Sequence, residues 1–202
     1  MITVYQLKAS FQNLLRPLVN RLAGSGITAN QVTVSALLLS LAFGLLLYFS
    51  NFAAWMLFCL PVILFIRMGL NAVDGMLAKE HNMQSSLGAI LNELGDVISD
   101  TALYLPFAAL PGIHSTLVVL FVITAVLSEM TGVIAVQIGA SRRYDGPMGK
   151  SDRAVAFGIL GTVMGCGLRP GGWFDILTGI LLLLCCMTIV NRARGALNEA
   201  AL

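Results

Sequence analysis

Residues 71–96, which read NAVDGMLAKEHNMQSSLGAILNELGD, carry polar side chains at helical spacing within an apolar chain. Asn71 and Asp74 are three residues apart, so they share one face of a helix. Asn92 and Asp96 are four residues apart and share a face in the same way. The short segment between the two pairs predicts two antiparallel helices whose polar faces meet. We call these four residues the polar quartet.

The composition of the whole chain indicates a membrane protein. Of its 202 residues, 57% are hydrophobic and 11% are charged, whereas a soluble domain is about a quarter charged and under half apolar. A bilayer core about 30 Å thick requires about 20 apolar residues per helix. We therefore predict an all-α integral membrane protein built as a bundle of six transmembrane helices. The six predicted spans are, approximately, 32–50, 53–79, 87–110, 116–138, 154–166 and 173–190.

The N-terminal segment differs from the predicted spans. Residues 1–22 combine apolar side chains at helical spacing with Lys8, Arg16 and Arg21, which predicts an amphipathic helix on the membrane surface. Residues 1–30 are therefore predicted to form a juxtamembrane helix and the loop that leads into the first span. No linker or internal repeat is visible, so residues 1–202 are predicted to form a single membrane domain.

The basic residues fall almost entirely on one side of the predicted spans. The exceptions are Arg169, on the other side, and Arg67, within a span. Because cytoplasmic loops of membrane proteins are enriched in Lys and Arg, we predict an inner (cytoplasmic) membrane protein whose termini and active site both face the cytosol. The residues on the cytosolic side are Lys8, Arg16, Arg21, Lys79, Arg142, Arg143, Lys150, Arg153, Arg192 and Arg194.

The polar quartet also predicts a chemistry. Ionisable residues inside a span cost about 3 kcal/mol each to insert, so they require a reason. Carboxylate and amide oxygens are the ligands that Mg²⁺ and Mn²⁺ prefer, and Mg²⁺ commonly bridges them to substrate phosphates. The quartet therefore predicts a metal-dependent phosphate site. The alternative is a buried ion-pair network in which Arg67 pairs with Glu93, Asp100 or Glu129, and for Arg67 and the two glutamates taken singly this alternative is favoured.

The quartet lies within a longer pattern that resembles the signature of the CDP-alcohol phosphatidyltransferase family. That signature reads D-x2-D-G-x2-A-R-x8-G-x3-D-x3-D, and this chain reads N-x2-D-G-x2-A-K-x8-G-x3-N-x3-D, with the spacing intact. Asn71 and Asn92 replace acids, and Lys79 replaces an arginine. Residues 28–33, TANQVT, also resemble the family's T-P-N-x-x-T approach to the first span, with Ala29 in place of proline.

The resemblance implies roles for individual residues. It implies two ions, Mg²⁺ or Mn²⁺, ligated by the polar quartet. Asp74 and Asp96 fall on catalytic positions, and Asp96 falls on that of the general base for an acceptor hydroxyl. Because Asn71 and Asn92 bring no negative charge, weakened or altered metal binding is expected. The positions that bind the CDP moiety are Gly75, Ala78, Lys79 and Gly88.

The resemblance also implies a reaction in phospholipid biosynthesis. A phosphatidyl group would pass from CDP-diacylglycerol to a small hydroxyl acceptor, a polyol or a polyol phosphate, with release of CMP. One alternative is transfer of a CDP-linked small alcohol to diacylglycerol, and another is a catalytically weak relative that binds nucleotide or lipid. A transporter is disfavoured because the chain lacks repeated halves with broken helices. Membrane lipid is the expected partner, without nucleic acid, and relatives commonly form homodimers.

A second group of basic residues is a candidate for acceptor binding. Lys150 and Arg153 are three residues apart at the start of the fifth span, and Arg192 lies at the end of the sixth. A cationic pocket formed by these three residues would suit an acceptor that carries phosphate. The alternative is ordinary flanking charge, or contact with anionic lipid head groups.

Overall fold

The computed structural model of the chain describes residues 4–201. Two short 3-10 turns, Leu105–Ala109 and Ala135–Ile138, follow α4 and α5, and no β-strand occurs among the described residues. The predicted all-α class is therefore confirmed. The α-helices are α1 (Val4–Gly24), α2 (Ala29–Phe49), α3 (Ala54–Glu80), α4 (Ser86–Tyr104), α5 (Ser115–Ile134), α6 (Lys150–Gly165) and α7 (Gly172–Ala200).

Four of the six predicted spans have the length and hydropathy to cross a membrane. The helices in the third and fifth predicted spans differ from the other four. α4 carries Glu93, Asp96 and Asp100, which lower its hydropathy. α6 has 16 residues, which is about 24 Å of helix and less than a bilayer core of about 30 Å. The four qualifying segments are Ala29–Phe49, Ala54–Glu80, Ser115–Ile138 and Gly172–Ala200.

Local sequence explains where α2 begins and where α4 ends. α2 begins after Thr28, whose Oγ1 accepts a hydrogen bond from the Gln31 backbone N–H at 3.3 Å. The Gln31 side chain accepts one from the Thr28 N–H at 2.9 Å, so the two residues form a capping box. α4 ends at Tyr104, earlier than the predicted residue 110, because Pro106 has no N–H to continue the helix.

The structure divides into two compact units. The first comprises the chain up to Ala42 together with Phe65–Ser99, and the second comprises Phe43–Leu64 and Asp100–Leu202. The single-domain organisation stays a prediction. The first unit packs α1, the start of α2 and the C-terminal part of α3 around a core of Val19, Ala29, Val32, Val73, Met76 and Leu77.

The second unit has an aromatic core. The Tyr104 ring stacks on Phe157 with centroids 4.2 Å apart, and Phe107 meets the same ring edge-on at 5.2 Å. A Cβ atom added to Gly161 of α6 would lie 3.0 Å from the Leu57 carbonyl oxygen, so the glycine allows α6 to pack closely on the first half of α3.

Candidate functional site

The two polar faces predicted from the sequence meet in the first unit. α3 contributes Asn71 and Asp74, and α4 contributes Asn92 and Asp96. The Asn71 side-chain Nδ2 donates a hydrogen bond to Asp96 Oδ1 at 3.0 Å. Asn71, Asn92 and Asp96 are half-buried, whereas Asp74 is 4% exposed. The helical spacing therefore predicted a real contact between α3 and α4.

Asp74 is held by a residue from α2. Thr33 Oγ1 donates a hydrogen bond to Asp74 Oδ2 at 2.8 Å, and both residues are buried. Thr33 is the last residue of the TANQVT segment, whose capping box fixes the start of α2. Thr33 was not among the predicted site residues, because residue spacing within one helix carries no information on a contact between residues 41 positions apart.

Arg67 lies one helical turn before Asn71 on α3, and its side chain is 1% exposed. Its Nη2 donates a hydrogen bond to the Asp96 backbone carbonyl at 3.1 Å and lies 3.6 Å from Asp96 Oδ1. Arg67 thus belongs to the surroundings of the quartet. Three acids were predicted as possible ion-pair partners of Arg67. Asp96, which the structure places beside it, was not one of them.

The two glycines predicted to bind the CDP moiety have different surroundings. A Cβ atom added to Gly88 would lie 2.6 Å from Asn30 Oδ1 and 3.0 Å from Ser85 Oγ, so these two side chains would have to shift to accommodate it. Apart from its chain neighbours and the nearby backbone of its own helix, no described atom lies within 4 Å of a Cβ atom added to Gly75. Since a glycine inside a helix costs about 0.5–1 kcal/mol relative to alanine, the open space beside Gly75 favours close approach of a ligand.

The two other residues predicted to bind the CDP moiety lie near the end of α3. Ala78 is half-buried and packs against the core of the first unit. Lys79 is exposed. The next residue, Glu80, pairs with Arg16 of α1 at 3.0 Å, and solvent screens an exposed pair of this kind.

The donor atoms of the quartet suit a hard divalent cation in kind. Carboxylate and amide oxygens are the preferred ligands of Mg²⁺ and Mn²⁺. In number of charges the set is poorer, because only Asp74 and Asp96 are acids and the buried Arg67 guanidinium lies beside Asp96. Within residues 4–201, no group of three or more His, Cys, Asp or Glu side chains is placed to hold a metal ion.

The predicted acceptor residue Arg153 lies in the second unit and is 1% exposed. Its Nε and Nη2 donate to Asp100 Oδ2 at 3.0 and 2.9 Å, and Nη2 also donates to Glu129 Oε1 at 2.8 Å. Nη1 donates to the Met148 carbonyl at 3.1 Å and to Ser128 Oγ at 3.4 Å. All three nitrogens of this guanidinium therefore donate to protein groups.

Arg192 belongs to the same network and is 2% exposed. Its Nη1 donates to the Ser128 carbonyl at 2.5 Å and lies 3.3 Å from Glu129 Oε2. Its Nε donates to the Asp145 carbonyl at 3.3 Å. Lys150, the third predicted acceptor residue, is half-buried at the start of α6. We call the set Asp100, Glu129, Arg153 and Arg192 the arginine cluster.

Known proteins resemble this chain in sequence. The family model described as CDP-alcohol phosphatidyltransferase matches residues 26–191. The inner membrane protein YnbA of Escherichia coli strain K12 is 49% identical over 201 residues, which cover 99% of each chain. An uncharacterized protein of Aquifex aeolicus strain VF5 is 29% identical over 178 residues, which cover 88% of this chain and 80% of that protein.

Solved structures resemble it in fold. Phosphatidylinositol phosphate synthase (PgsA1) of Mycobacterium tuberculosis in complex with manganese and citrate gives a TM-score of 0.74 at 21% identity, covering 91% of this chain and 88% of that chain. The same enzyme with CDP-DAG bound gives a TM-score of 0.72 at 21% identity, covering 89% and 92%. At this level of identity the similarity establishes a shared fold.

Proposed function

The chain belongs to the CDP-alcohol phosphatidyltransferase family, and from that premise we propose that it moves a phosphatidyl group from CDP-diacylglycerol to a small hydroxyl acceptor with release of CMP. The observation that carries the proposal is the contact between Asn71 and Asp96, 3.0 Å long, because it brings together the two halves of the family signature. The open space beside Gly75 supports it, since it leaves room for a ligand next to Asp74.

The proposal includes a placement in the membrane. We propose that α2 to α7 all cross the bilayer and that α1 lies on its surface, with both termini and the quartet facing the cytosol. The one-sided distribution of basic residues supports this orientation. The name of YnbA, an inner membrane protein, supports the inner membrane as the location. A homodimer stays a prediction.

In the proposed reaction, the acceptor oxygen forms a bond to the lipid-side phosphorus of the diphosphate. The bond from that phosphorus to the oxygen of CMP breaks, and CMP leaves with the electron pair. Asp96 takes the proton of the acceptor hydroxyl as general base, while Asn71 and Arg67 hold its carboxylate in place. A bound Mg²⁺ or Mn²⁺ supplies positive charge at the diphosphate, and Asp74, Asn92 and Asp96 are the residues that would hold it.

The proposed nucleotide site uses the residues that follow Asp74. Gly75 allows the CDP moiety to approach the backbone of α3, Ala78 provides a small surface one turn later, and Lys79 offers a positive charge to the phosphates. Gly88 contributes indirectly, since it allows the Asn30 side chain to pack against α4.

For the acceptor we propose a polyol or polyol phosphate, with Lys150, Arg153 and Arg192 as candidate binding residues. Arg153 and Arg192 already donate hydrogen bonds to protein oxygens. Phosphate binding at these two side chains would require those contacts to give way.

The test is an acceptor screen with the purified full chain in lipid nanodiscs. CDP-diacylglycerol with a labelled cytidine is supplied with Mn²⁺ or Mg²⁺ and a panel of hydroxyl acceptors, and CMP release and the mass of the lipid product are measured. We expect acceptor-dependent CMP release in wild type. The variants Asp96→Ala and Asp74→Ala should each lose about 100-fold or more in rate, the range that general acid–base and metal contacts supply.

The matched control is Asp175→Ala, which removes an acid at the start of α7 that pairs with His114 at 2.8 Å. This variant should keep the wild-type rate. Wild-type CMP release by Asp96→Ala and Asp74→Ala would place the chemistry elsewhere. Transfer of a CDP-linked small alcohol to diacylglycerol, the reverse arrangement of substrates, is tested in a parallel assay that supplies those two substrates and measures the mass of the lipid product.

A second candidate function is nucleotide or lipid binding without turnover. The observation that favours it is that Asn71 and Asn92 replace two acids of the signature, which halves the number of carboxylates in the quartet. Tight binding of CDP-diacylglycerol with no CMP release across the whole acceptor panel would support this function and contradict the transferase.

A further inference from the structure

The polar quartet and Arg67 have an unusual charge balance for a metal–phosphate site. Asp74 and Asp96 each bring one negative charge, Asn71 and Asn92 bring none, and Arg67 brings one positive charge. The net formal charge of the five side chains is therefore about −1, taking the carboxylates as ionised. A signature with four acids and the same arginine would carry about −3, again with every carboxylate ionised.

The Arg67 guanidinium and the Asn71 amide both approach the same carboxylate oxygen, Asp96 Oδ1. Arg67 Nη2 lies 3.6 Å from Asp96 Oδ1, and Asn71 Nδ2 donates to the same oxygen at 3.0 Å. The guanidinium is 1% exposed, so solvent screens its charge poorly. A cation that approached Asp96 from the side of Asn71 would meet amide protons and a like charge. That side of Asp96 is therefore unfavourable for a metal ion.

We propose that the quartet holds one divalent cation rather than two, and that Arg67 and the Asn71 amide take the place of a second ion beside Asp96. The single ion is held by Asp74, Asn92 and Asp96. The inference rests on the proposed function for the presence of a metal–phosphate site, but the number of ions is independent of turnover.

The charge balance of the site supports a single bound ion. One divalent ion brings the wild-type set from about −1 to about +1, counting ionised carboxylates. Two ions bring a four-acid set with the same arginine from about −3 to about +1 on the same count. The one-ion site thus presents a diphosphate with the same net charge that a two-ion site would present. The two amides, Asn71 and Asn92, then suit a site for one ion, and they are not damaging replacements in a site for two.

The test counts bound Mn²⁺ by electron paramagnetic resonance on the purified full chain in nanodiscs, with Mn²⁺ as the only added ligand. Wild type should bind one ion per chain at saturation. The double variant Asn71→Asp with Asn92→Asp should bind two, with a spectrum broadened by coupling between ions about 3.5–4 Å apart. The matched control, Asn191→Asp with Asn198→Asp, adds the same charge at exposed positions of α7 and should still bind one.

Arg67→Gln tests the part played by the guanidinium. Removal of a positive charge beside Asp96 should tighten binding of the single Mn²⁺ several-fold, whereas a purely structural role would leave the affinity unchanged or lower it. Unchanged or weaker binding in a folded Arg67→Gln protein contradicts the role of Arg67. If that variant does not fold, the wild-type count still decides, because two ions or none at saturation overturns the proposal.

The number of bound ions can be decided independently of whether the chain is a transferase. CMP release from CDP-diacylglycerol together with two bound ions would leave the transferase intact and refute the one-ion site. One bound ion with no CMP release for any acceptor would do the opposite.

Discussion

The polar quartet and the arginine cluster are both sets of charged side chains in apolar helices, yet they are built in opposite ways. In the quartet, Asp96 is 17% exposed and open space lies beside Gly75. In the arginine cluster, both guanidiniums are at most 2% exposed, and their nitrogens donate to acids and carbonyls of the same unit. One set is open and the other is closed.

A structural network and a candidate binding site differ in how their charges are paired. The arginine cluster pairs two guanidiniums with the carboxylates of Asp100 and Glu129, and Arg142 Nη2 also lies 3.7 Å from Glu129 Oε2. Its acids therefore have positive partners without a ligand. The quartet with Arg67 carries a formal charge of about −1, taking the carboxylates as ionised, and it has an uncrowded glycine. Because opposite charges attract, a cation is the ligand that this set would favour.

The largest expected effect that tests this comparison is on stability in the arginine cluster. Arg153→Met leaves the carboxylates of Asp100 and Glu129 buried without their main positive partner, so we expect a loss of about 3–5 kcal/mol in the free energy of unfolding. The measurement is denaturant unfolding in detergent micelles. Arg194→Met, at an exposed position of α7, is the control and should change stability by less than about 0.5 kcal/mol.

A structural role for the arginine cluster is contradicted if Arg153→Met is as stable as wild type and instead raises the KM for the acceptor. That result would make the arginine cluster an acceptor site, as the sequence pattern of Lys150, Arg153 and Arg192 first indicated.

A smaller effect separates the two glycines of the signature. Gly88→Ala brings a methyl group to 2.6 Å from Asn30 Oδ1, the end of a side chain that can shift, so we expect a destabilisation of about 1 kcal/mol, the low end of overpacking effects. Apart from its chain neighbours and the nearby backbone of its own helix, Gly75→Ala meets no described atom within 4 Å, so it should leave the fold as stable or stabilise it by up to about 1 kcal/mol. Its effect should appear in weaker binding of CDP, measured by calorimetry.

The opposite pattern would reverse the assignment. If Gly75→Ala destabilises the fold while CDP binding is retained, the space beside Gly75 serves helix packing and the quartet loses its character as an open site.

The contact between Asn71 and Asp96 could be predicted from the sequence because it depends on local spacing. Helical periodicity put Asn71 with Asp74 and Asn92 with Asp96, and the short loop between α3 and α4 predicted that the two faces meet. The apolar composition predicted helices, and four of them have the length and hydropathy of membrane spans.

What could not be predicted depends on contacts between residues far apart in the chain. Thr33 reaches Asp74 across 41 residues and Arg153 reaches Asp100 across 53, and spacing within a helix carries no signal for either. For the same reason the pairing of Glu129 with Arg153 and Arg192 could not be predicted from the sequence. The presence of ionisable residues in apolar segments showed which side chains need a partner. The packing of the helices determines which partner each one has.

The smallest expected effect tests whether burial is what separates structural pairs from incidental ones. Arg143 donates to both carboxylate oxygens of Asp145, at 2.7 and 3.0 Å, on the loop between α5 and α6. These hydrogen bonds hold the pKa of Asp145 below its ordinary value. The stabilisation is therefore present above the ordinary aspartate pKa of about 3.9 and is lost as the pH falls through the lowered one.

Because the Asp145 side chain is 43% exposed, we expect Asp145→Asn to cost only a few tenths of a kcal/mol at pH 7. The difference from wild type should shrink as the pH is lowered from 7 through the ordinary aspartate pKa, because protonation of the carboxyl removes its charge pairing with Arg143. Unfolding of both proteins across this pH range measures it. A cost at pH 7 equal to that of Arg153→Met would mean that burial does not set the strength of these pairs, and the contrast between a closed structural cluster and an open site would lose its physical basis.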